Sequence, residues 1–588
     1  MCTSSVEIAG QPIRTAYCPR PAEPNLGEPV TESAGGPGRR NVRSEGQWAA
    51  GDRQPLNDNE RIKQEDDGLN VRRRIEDVYS RTGIAGVDLT DRRSRFRWWG
   101  MYTQRKPGIP GNTIGSLAPE DLEDDCFMMR VRIDGGALTT EQLRVLGEVS
   151  REFARDTADL TDRQNVQLHW VYIEDVPQIW QRIESVGLTT VESAGDTPRV
   201  VLGSPLAGIA EDEVLDITPG IADITGRLLN NPDYSNLPRK FKTALSGLQD
   251  VAHEINDIAF VGVHHPEHGP GLDVWVGGGL STNPTIAQRL GAWVPLAEVG
   301  GVWEAVVALF RDHGYRRLRA KARLKFLVAD WGAEKFRAVL EENYLQRRLI
   351  DGPPPPQLQR PRDHVGVQRQ KNGLNAVGVS PVAGRVGGTL LVAAAAAAER
   401  AGSRRVRITP MQKLVVLDVP DDRVEELIAE LDAIGLPARP TPWRRATMAC
   451  TGDEFCKYGI VETKSRAARL IDELEERLAD VQDTLESPIS IHLNGCPNSC
   501  ARIQVADIGL KGMTFSTPDG GHEEGFQVHL GGALGFDTTF GRKVRGNKVR
   551  SADVADYIER VVRRFESARR DGEIFSQWVA RAEEDDLR

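Results

Sequence analysis

The sequence predicts an α+β protein built from two pseudo-symmetric halves, and three observations support this. Residues 160–188 and 408–436 share one order: a β-branched strand, a turn around Val-Pro, and an amphipathic helix ending in Gly-Leu. Residues 256–278 and 506–532 form a second similar pair. Residues 351–362, with four consecutive prolines, predict a stiff, extended link between the halves. Because order and spacing recur together with composition, we interpret the pairs as repeats.

The remaining elements extend this pattern. Upstream of each repeat, a further strand is expected to end near glycine, at residues 131–136 and 378–388, and a helix follows it. Residues 1–45 are rich in Gly, Pro, Ser and charge, which predicts a disordered tail. Residues 46–115 contain a charged helical stretch and the segment RFRWW at 95–99, which is typical of an arm packed on another surface.

Length and composition exclude several classes. At 588 residues the chain can form about three or four domains of roughly 150 residues. No apolar run approaches the roughly 20 residues that cross a bilayer, and the first residues carry no secretory signal, so we expect a cytoplasmic protein. The net charge of -10 argues against general nucleic-acid binding.

Four of the seven cysteines are concentrated at Cys450, Cys456, Cys496 and Cys500. Their spacing is C-x5-C and C-x3-C, separated by 39 residues. Such crowding favours metal or redox chemistry over disulfides. The wide first pair, in loops bearing Gly and Pro, favours an iron–sulfur cluster. Spacing alone leaves a structural zinc site open, and with it a zinc-stabilised binding protein.

The sequence around these cysteines is more specific. Residues 449–456 (ACTGDEFC) and 494–500 (NGCPNSC) resemble the signature of the sirohaem-dependent nitrite and sulfite reductase family. The likeness extends from about residue 46 to the C-terminus and is strongest to ferredoxin-dependent sulfite reductases of the actinobacterial type. It implies that all four cysteines bind a 4Fe-4S cluster and that Cys500 also bridges to the sirohaem iron.

The resemblance also implies an architecture in which each half has a ferredoxin-like half-domain and a larger α/β lobe for sirohaem and the iron–sulfur cluster. The expected boundaries are a tail (1–45), an N-terminal arm (46–115), ferredoxin-like repeat 1 (116–190), sirohaem and substrate lobe 1 (191–350), the Pro-rich linker (351–362), ferredoxin-like repeat 2 (363–440), and 4Fe-4S and sirohaem lobe 2 (441–588).

Four cations match the family's active-site positions: Arg130, Arg199, Lys240 and Lys242. Taken alone, each would be an ordinary surface charge. In an extended segment, Lys240 and Lys242 project to the same side and could face one anion. Family members specialised for nitrite tend to carry Asn at the second lysine position, whereas sulfite reductases carry Lys. Lys242 therefore favours sulfite, which can bear one more negative charge than nitrite.

Sirohaem carries many carboxylates, so its pocket should be basic and rich in amide donors. Residues 161–167 (TDRQNVQ) resemble the family's sirohaem-binding strand. In an extended strand Arg163, Asn165 and Gln167 would lie on one face, although an exposed edge strand is the alternative. The sirohaem-binding candidates are Arg163, Asn165, Gln167, Arg239 and Cys500, with Arg407, Gln412 and Lys413 as further candidates in the paired strand.

No dinucleotide fingerprint or flavin module is evident, so electrons should come from an external one-electron carrier. The resemblance implies reduced ferredoxin. Residues 541–550 are basic and are one candidate for its docking site, although a solvated loop fits the sequence equally well. The sequence therefore predicts a monomeric enzyme for assimilatory, six-electron reduction of sulfite to sulfide, with reduction of nitrite to ammonia as the alternative, and without nucleic-acid or membrane partners.

Overall fold

The structure is a computed structural model that describes residues 57–358, 362–485, 487–535, 537–544 and 546–588. The predicted disordered tail lies outside these residues, as do the start of the arm and residues 359–361 of the linker. The α-helices of the described residues are α1 (Asp58–Glu65), α2 (Val71–Arg74), α3 (Ser80–Thr82), α4 (Leu89–Arg93), α5 (Pro119–Leu122), α6 (Thr140–Phe153), α7 (Val176–Glu184), α8 (Thr218–Leu228), α9 (Val299–His313), α10 (Leu324–Val339), α11 (Gly388–Arg400), α12 (Val424–Ala433), α13 (Pro442–Ala446), α14 (Lys464–Arg477), α15 (Val554–Ala568) and α16 (Phe575–Arg581).

The strands form four sheets. In chain order they are β1 (Met101–Arg105), β2 (Glu123–Val131), β3 (Ala137–Thr139), β4 (Ala158–Leu160), β5 (Val166–Val171), β6 (Pro198–Gly203), β7 (Phe241–Ser246), β8 (Ile258–His265), β9 (Gly269–Val276), β10 (Gln288–Val294), β11 (Ile350–Asp351), β12 (Gly366–Arg369), β13 (Asn375–Val379), β14 (Arg385–Val386), β15 (Arg405–Ile408), β16 (Leu414–Val419), β17 (Thr447–Ala449), β18 (Ile491–Asn494), β19 (Ile508–Ser516), β20 (His522–Leu530) and β21 (Lys548–Arg550).

Two of the sheets belong to the ferredoxin-like repeats. One has the order β1-β2-β5-β4-β14 and the other β12-β13-β16-β15-β3. In each, the strand and helix predicted from the repeated sequence are present, as β5 with α7 and as β16 with α12. The predicted duplicated α+β fold is therefore confirmed.

Helices α6 and α11 join the two repeats through close backbone packing. A Cβ atom added to Gly388 would lie 2.1 Å from the carbonyl oxygen of Gly147, and one added to Gly147 would lie 2.6 Å from that of Gly388. Around this contact, apolar side chains at helical spacing on both helices, such as Leu143, Leu146 and Leu391, enter one shared core. The absence of side chains at the crossing lets this core form.

The two repeats exchange short strands, which the sequence did not predict. Strand β14 pairs with β4, and β3 pairs with β15 of the opposite repeat. The strands expected at residues 131–136 and 378–388 are largely turns: β2 ends at Val131, and Gly135 and Gly136 have φ of 64° and 67°. Positive φ interrupts the extended backbone there, so the chain turns before the exchanged strand begins.

The two larger lobes repeat one sheet design. Lobe 1 has the order β11-β10-β9-β8-β7-β6 and lobe 2 has β17-β18-β19-β20-β21. In both, three strands run parallel (β6, β7, β8 and β17, β18, β19) and the next strand returns antiparallel. Parallel strands place their carboxyl ends at one edge, so the loops after β17 and β18 begin side by side.

The N-terminal arm packs through its aromatic segment. Phe96, Trp98 and Trp99 are buried. The Trp98 indole N–H donates to the carbonyl oxygen of Ser235 at 2.8 Å, which ties the arm to lobe 1. Within the described residues, no helix has both the length and the apolar character needed to span a membrane.

Candidate functional site

A cavity of about 390 Å3 lies between the two halves. Its wall contains eleven Lys and Arg side chains against three Asp, so it is strongly basic. It is lined by all the principal residues predicted for the cofactor and anion sites: Arg130, Arg163, Asn165, Gln167, Arg199, Arg239, Lys240, Lys242, Cys450, Cys456, Cys496 and Cys500.

The four cysteines meet because their strands are neighbours. Cys450 follows β17 directly, Cys496 follows β18 after one glycine, and the two strands pair in parallel. The backbone N–H of Cys450 donates to the carbonyl oxygen of Leu493 at 3.0 Å, which joins the two loops at their origin. Cys500 is exposed to the cavity, whereas Cys496 is buried. The four thiols therefore line one end of the cavity.

Burial has the largest effect on the pKa values of the cysteine thiols. It raises the pKa of Cys450 to about 12, and the nearby Cys500 adds to this rise. Backbone N–H groups of Gly452 and Gly495 donate to the Cys450 sulfur at 3.4 and 3.2 Å and oppose the rise. Burial also raises the pKa of Cys456 and Cys496. Thiols with a raised pKa need a cationic centre to become thiolates, which is the chemistry of a metal cluster.

Gly452 is required by the loop that holds Cys450. It has φ of 69°, and a Cβ there would lie 2.3 Å from Thr463 Oγ1. Thr463 is the N-cap residue of α14, its hydroxyl donates to the Cys450 carbonyl at 2.6 Å, and its oxygen lies 3.9 Å from the Cys450 sulfur. The residue that caps the start of α14 therefore contacts Cys450. Cys456 interacts with the backbone N–H groups of Tyr458 and Gly459.

Within the described residues, no group of three or more His, Cys, Asp or Glu side chains is placed to hold a single metal ion. The four thiols nevertheless interact electrostatically, since each of the other three raises the pKa of Cys496. The four thiols therefore lie near one another, but they do not converge on the position of a single metal ion. This donor set fits a multi-iron cluster held by thiolates.

Two arginines and a tyrosine form one wall of the cavity. Arg130 on β2 and Arg199 on β6 both donate to the carbonyl oxygen of Ser193, at 3.1 and 3.2 Å. Tyr102 lies between them, with the Arg130 guanidinium 5.7 Å from its ring centre. Burial would raise the pKa of Tyr102, but Arg199, Arg130 and Arg97 together lower it to about 8. The phenol can therefore lose its proton close to neutral pH.

Two lysines approach from the start of β7. Lys240 and Lys242 line the cavity, while Phe241 between them packs in the lobe 1 core. Burial, with Arg323 and Arg199, lowers the pKa of Lys240 to about 7. Burial, with Arg163 and Lys240, lowers the pKa of Lys242 well below its ordinary value. Within the described residues neither ammonium forms an ion pair or a hydrogen bond, so both would be stabilised by an anionic guest.

The sirohaem-binding candidates near β5 line the cavity from a turn as well as from a strand. Arg163 and Asn165 lie in the hairpin between β4 and β5, and only Gln167 lies in β5 itself. Gln164, with φ of 57°, breaks the alternation that the sequence implied. Strand β5 is flanked by β2 and β4, so the exposed-edge alternative is wrong. Arg163 donates to Asn256 Oδ1 at 2.6 Å, and burial lowers its pKa to about 9.

Equivalent glutamines hold each repeat to its lobe. Gln164 exchanges two hydrogen bonds of 3.0 Å with the backbone of Gly203 at the end of β6. Gln412 does the same with Ala449 at the end of β17, at 2.9 and 3.2 Å. Gln412 therefore lines the cavity and also positions the residue that precedes Cys450. Gln164 and Gln412 therefore occupy equivalent positions in the two repeats, and this equivalence aligns the residues of one half with those of the other.

Of the further candidates in the paired strand, Arg407 and Lys413 do not line the cavity. The Lys413 ammonium is buried and donates to the carbonyl oxygen of Arg444 at 3.4 Å. Burial lowers the pKa of Lys413 to about 7. Both side chains belong to the second repeat, whose counterpart site differs from the first.

That counterpart is a second cavity of about 430 Å3 in the other half. By the repeat register, Met411 stands where Arg163 stands in the first half, and Ser490, just before β18, stands where Lys242, the second residue of β7, stands. The second cavity therefore lacks the counterparts of two cations of the first. The fold is duplicated, but these two cations are not.

Several further residues line the cavity. His169 is fully buried, stacks on Phe455 with ring centres 3.9 Å apart, and its Nε2 lies 3.0 Å from Asp159 Oδ2. Asp159 also accepts from Arg385 at 2.8 Å. Further cations line the cavity that the sequence did not identify as site residues: Lys63, Arg97, Arg319, Lys457 and Lys464.

Comparisons with known proteins agree with this geometry. A family profile described as "Nitrite and sulphite reductase 4Fe-4S domain" matches residues 194–349 and 442–588. A second, "Nitrite/Sulfite reductase ferredoxin-like half domain", matches residues 120–186 and 367–434. Each profile therefore matches twice, once in each half.

Relatives cover almost the whole chain. A protein of Mycolicibacterium paratuberculosis named sulfite reductase [ferredoxin] 1 is 63% identical over 547 residues, 93% of this chain and 99% of its own. A ferredoxin–nitrite reductase of Synechococcus elongatus is 36% identical, covering 86% of this chain and 96% of its own. The solved structure of the Mycobacterium tuberculosis NirA protein is 62% identical, with a TM-score of 0.90, and covers 92% of this chain and 100% of its own. The chain therefore belongs to the nitrite and sulphite reductase family, with a 4Fe-4S domain and ferredoxin-like half domains.

Proposed function

We propose that the protein is a ferredoxin-dependent sulfite reductase. It takes up hydrogen sulfite, six protons and six electrons and releases hydrosulfide and three waters. The observation that carries this proposal is the cavity itself, in which four cysteine thiols lie at one end and a set of buried cations lies along the wall. A zinc-stabilised binding protein would not need buried cations beside its thiolates.

The residues of the cavity fit the cofactors of the family. Cys450, Cys456, Cys496 and Cys500 would hold a 4Fe-4S cluster, and Cys500, which is exposed to the cavity, would also ligate the sirohaem iron. When bound, these groups supply electrons one at a time and an iron that holds the substrate. The sirohaem carboxylates would be bound by the sirohaem-facing donors Arg163, Asn165, Gln167 and Arg239.

The remaining chemistry belongs to the protein side chains. Arg130 and Arg199 would bind the oxygens of the anion through charge-assisted hydrogen bonds. Lys240, whose pKa is lowered to about 7 by burial and neighbouring cations, would give a proton to an oxygen that leaves as water. Its burial also keeps bulk water from competing for the anion.

Lys242 supports sulfite over nitrite. It lines the cavity among other cations, and burial with Arg163 and Lys240 lowers its pKa, so an anionic guest would stabilise its charged form. Sulfite can carry two negative charges and nitrite carries one, so the lysine contributes more to binding sulfite. The relatives at 62–63% identity are named sulfite reductase [ferredoxin], whereas a relative named for nitrite is 36% identical. Reduction of nitrite to ammonia by the same cofactors is the second candidate.

The electron donor and the cellular setting are part of the proposal. The names of the relatives support reduced ferredoxin as the donor. We place the enzyme in the cytoplasm as a monomer, without nucleic-acid or membrane partners. Four thiols reserved for a cluster fit a reducing compartment.

The direct experiment is turnover of sulfite and of nitrite by the purified holoenzyme. Reduced ferredoxin is supplied by NADPH and a ferredoxin reductase, because dithionite itself releases sulfite. We expect sulfide from sulfite, with a higher kcat/KM than for nitrite. A protein without iron and without a haem absorbance band would contradict the proposal.

A further inference from the structure

Lobe 2 carries a row of side chains that crosses its sheet to the edge. Asn494 on β18 pairs with Lys511 on β19, Lys511 pairs with Gln527 on β20, and Gln527 pairs with Lys548 on β21. Paired residues on adjacent strands point to the same face. With strands about 4.8 Å apart, the row extends roughly 15 Å from Asn494 to Lys548.

The inner end of this row adjoins the cluster loop. Asn494 lies two residues before Cys496, and its side-chain oxygen accepts from the backbone N–H of Ala501 at 2.8 Å. Ala501 directly follows Cys500. The row therefore starts at the loop that carries two of the four cysteines and ends at the protein surface.

Three lysines of this row and its border form a cationic patch: Lys511, Lys543 and Lys548. Lys543 and Lys548 are exposed and Lys511 is partly exposed. In the part of the chain that the structure describes, none of the three has a carboxylate partner. Burial and the two neighbouring lysines lower the pKa of Lys511, so the three charges are close enough to repel one another.

Other basic side chains of residues 541–550 do not add uncompensated charge to the patch. Arg550 is paired with Glu523 at 2.9 Å, and Arg542 donates to the carbonyl oxygen of Ala582 at 2.9 Å. Arg545 lies outside the described residues. The uncompensated charge of this face therefore belongs to the three lysines, on a protein whose net charge is -10.

We propose that the patch of Lys511, Lys543 and Lys548 is the docking surface for the acidic one-electron carrier, reduced ferredoxin. The inference rests on the proposed function, because it names the partner of the same site. Uncompensated cations attract an acidic surface and orient it on encounter. In each encounter one electron leaves the reduced carrier and enters the enzyme at the cysteine loop, and no bond is made or broken.

The test compares two charge-reversal variants of the holoenzyme. The patch variant is Lys543→Glu with Lys548→Glu, two exposed positions at which folding should be retained. The control is Arg81→Glu with Lys335→Glu, which changes the net charge equally at exposed positions on α3 and α10. Each is assayed with reduced ferredoxin and, separately, with electrochemically reduced methyl viologen, a small donor that needs no protein docking.

We expect the patch variant to raise the KM for ferredoxin about tenfold and to flatten its dependence on salt. The methyl viologen rate should stay unchanged, and the control should match the parent protein with both donors. An unchanged KM for ferredoxin in the patch variant overturns the docking proposal. If the parent protein reduces neither anion with methyl viologen, the proposed function fails by itself. Titration of the protein with ferredoxin by calorimetry then decides the patch independently: weaker binding to the patch variant supports it, and equal binding overturns it.

Discussion

Replacing Lys242 by asparagine removes a positive charge from the anion site and leaves an uncharged polar amide. A hydrogen bond to a charged group contributes roughly 1.5–3 kcal/mol, and the loss should approach the upper figure for sulfite and the lower figure for nitrite. The difference of about 1.5 kcal/mol corresponds to roughly tenfold in selectivity. We therefore expect kcat/KM for sulfite to fall about a hundredfold and the sulfite-to-nitrite ratio to fall about tenfold.

The assay is steady-state kinetics with both anions and one electron donor. The matched control is Lys240→Asn, which removes the same charge two residues away and should lower both activities. The absorbance spectrum and iron content of each variant establish that cofactors are retained. An unchanged sulfite-to-nitrite ratio in Lys242→Asn would refute the assignment of substrate preference to this side chain.

Three further variants test other parts of the site and fold. Cys450→Ser should lose iron, measured by metal analysis, and full iron content would contradict its role as a ligand. Tyr102→Phe removes a phenol whose pKa is lowered to about 8 by Arg199 and neighbouring arginines, despite burial. If the phenol donates a proton, kcat falls at least tenfold and the decline of activity as pH rises through about 8 disappears; a pH profile identical to the parent would remove it from catalysis. Burial lowers the pKa of His364, but its 2.8 Å bond to Asp250 outweighs this and raises it. The stability it contributes is complete below about pH 6.5 and is lost as pH rises through the folded pKa. His364→Gln should therefore reduce the free energy of unfolding more at pH 5.5 than at pH 9; an equal loss at both would show that the ion pair is not the cause.

The duplicated fold was predictable because long repeated segments carry their own periodicity. Residues 160–188 and 408–436 each contain a strand and a helix long enough to be recognised, and both elements are present in each half. The exchanged strands β3 and β14 were not predictable. They have three and two residues, which is too short for alternation to be visible, and their partners lie in the opposite repeat.

The site was predictable where a local motif marked it and not where the tertiary fold brings residues together. The cysteine loops and the Lys240 to Lys242 segment line the cavity. They could be predicted because each lies within a short sequence motif. Arg97 and Lys63 come from the N-terminal arm, whose sequence predicts packing on another surface but no part in the site, so only the packing of the arm reveals them. The prediction that Lys413 contacts sirohaem came from the similarity between the halves. The second repeat shares the backbone fold of the first, but its Lys413 does not line the basic cavity.

The most direct test of the proposed sulfite reductase activity is the electron balance of sulfite reduction by the purified protein. With reduced ferredoxin as the only donor, we predict that six ferredoxin molecules are oxidised for each sulfide formed, by a protein that contains iron and a haem absorbance band. Oxidation of ferredoxin without sulfide, or sulfide formation at an undiminished rate in Cys500→Ser, would contradict it.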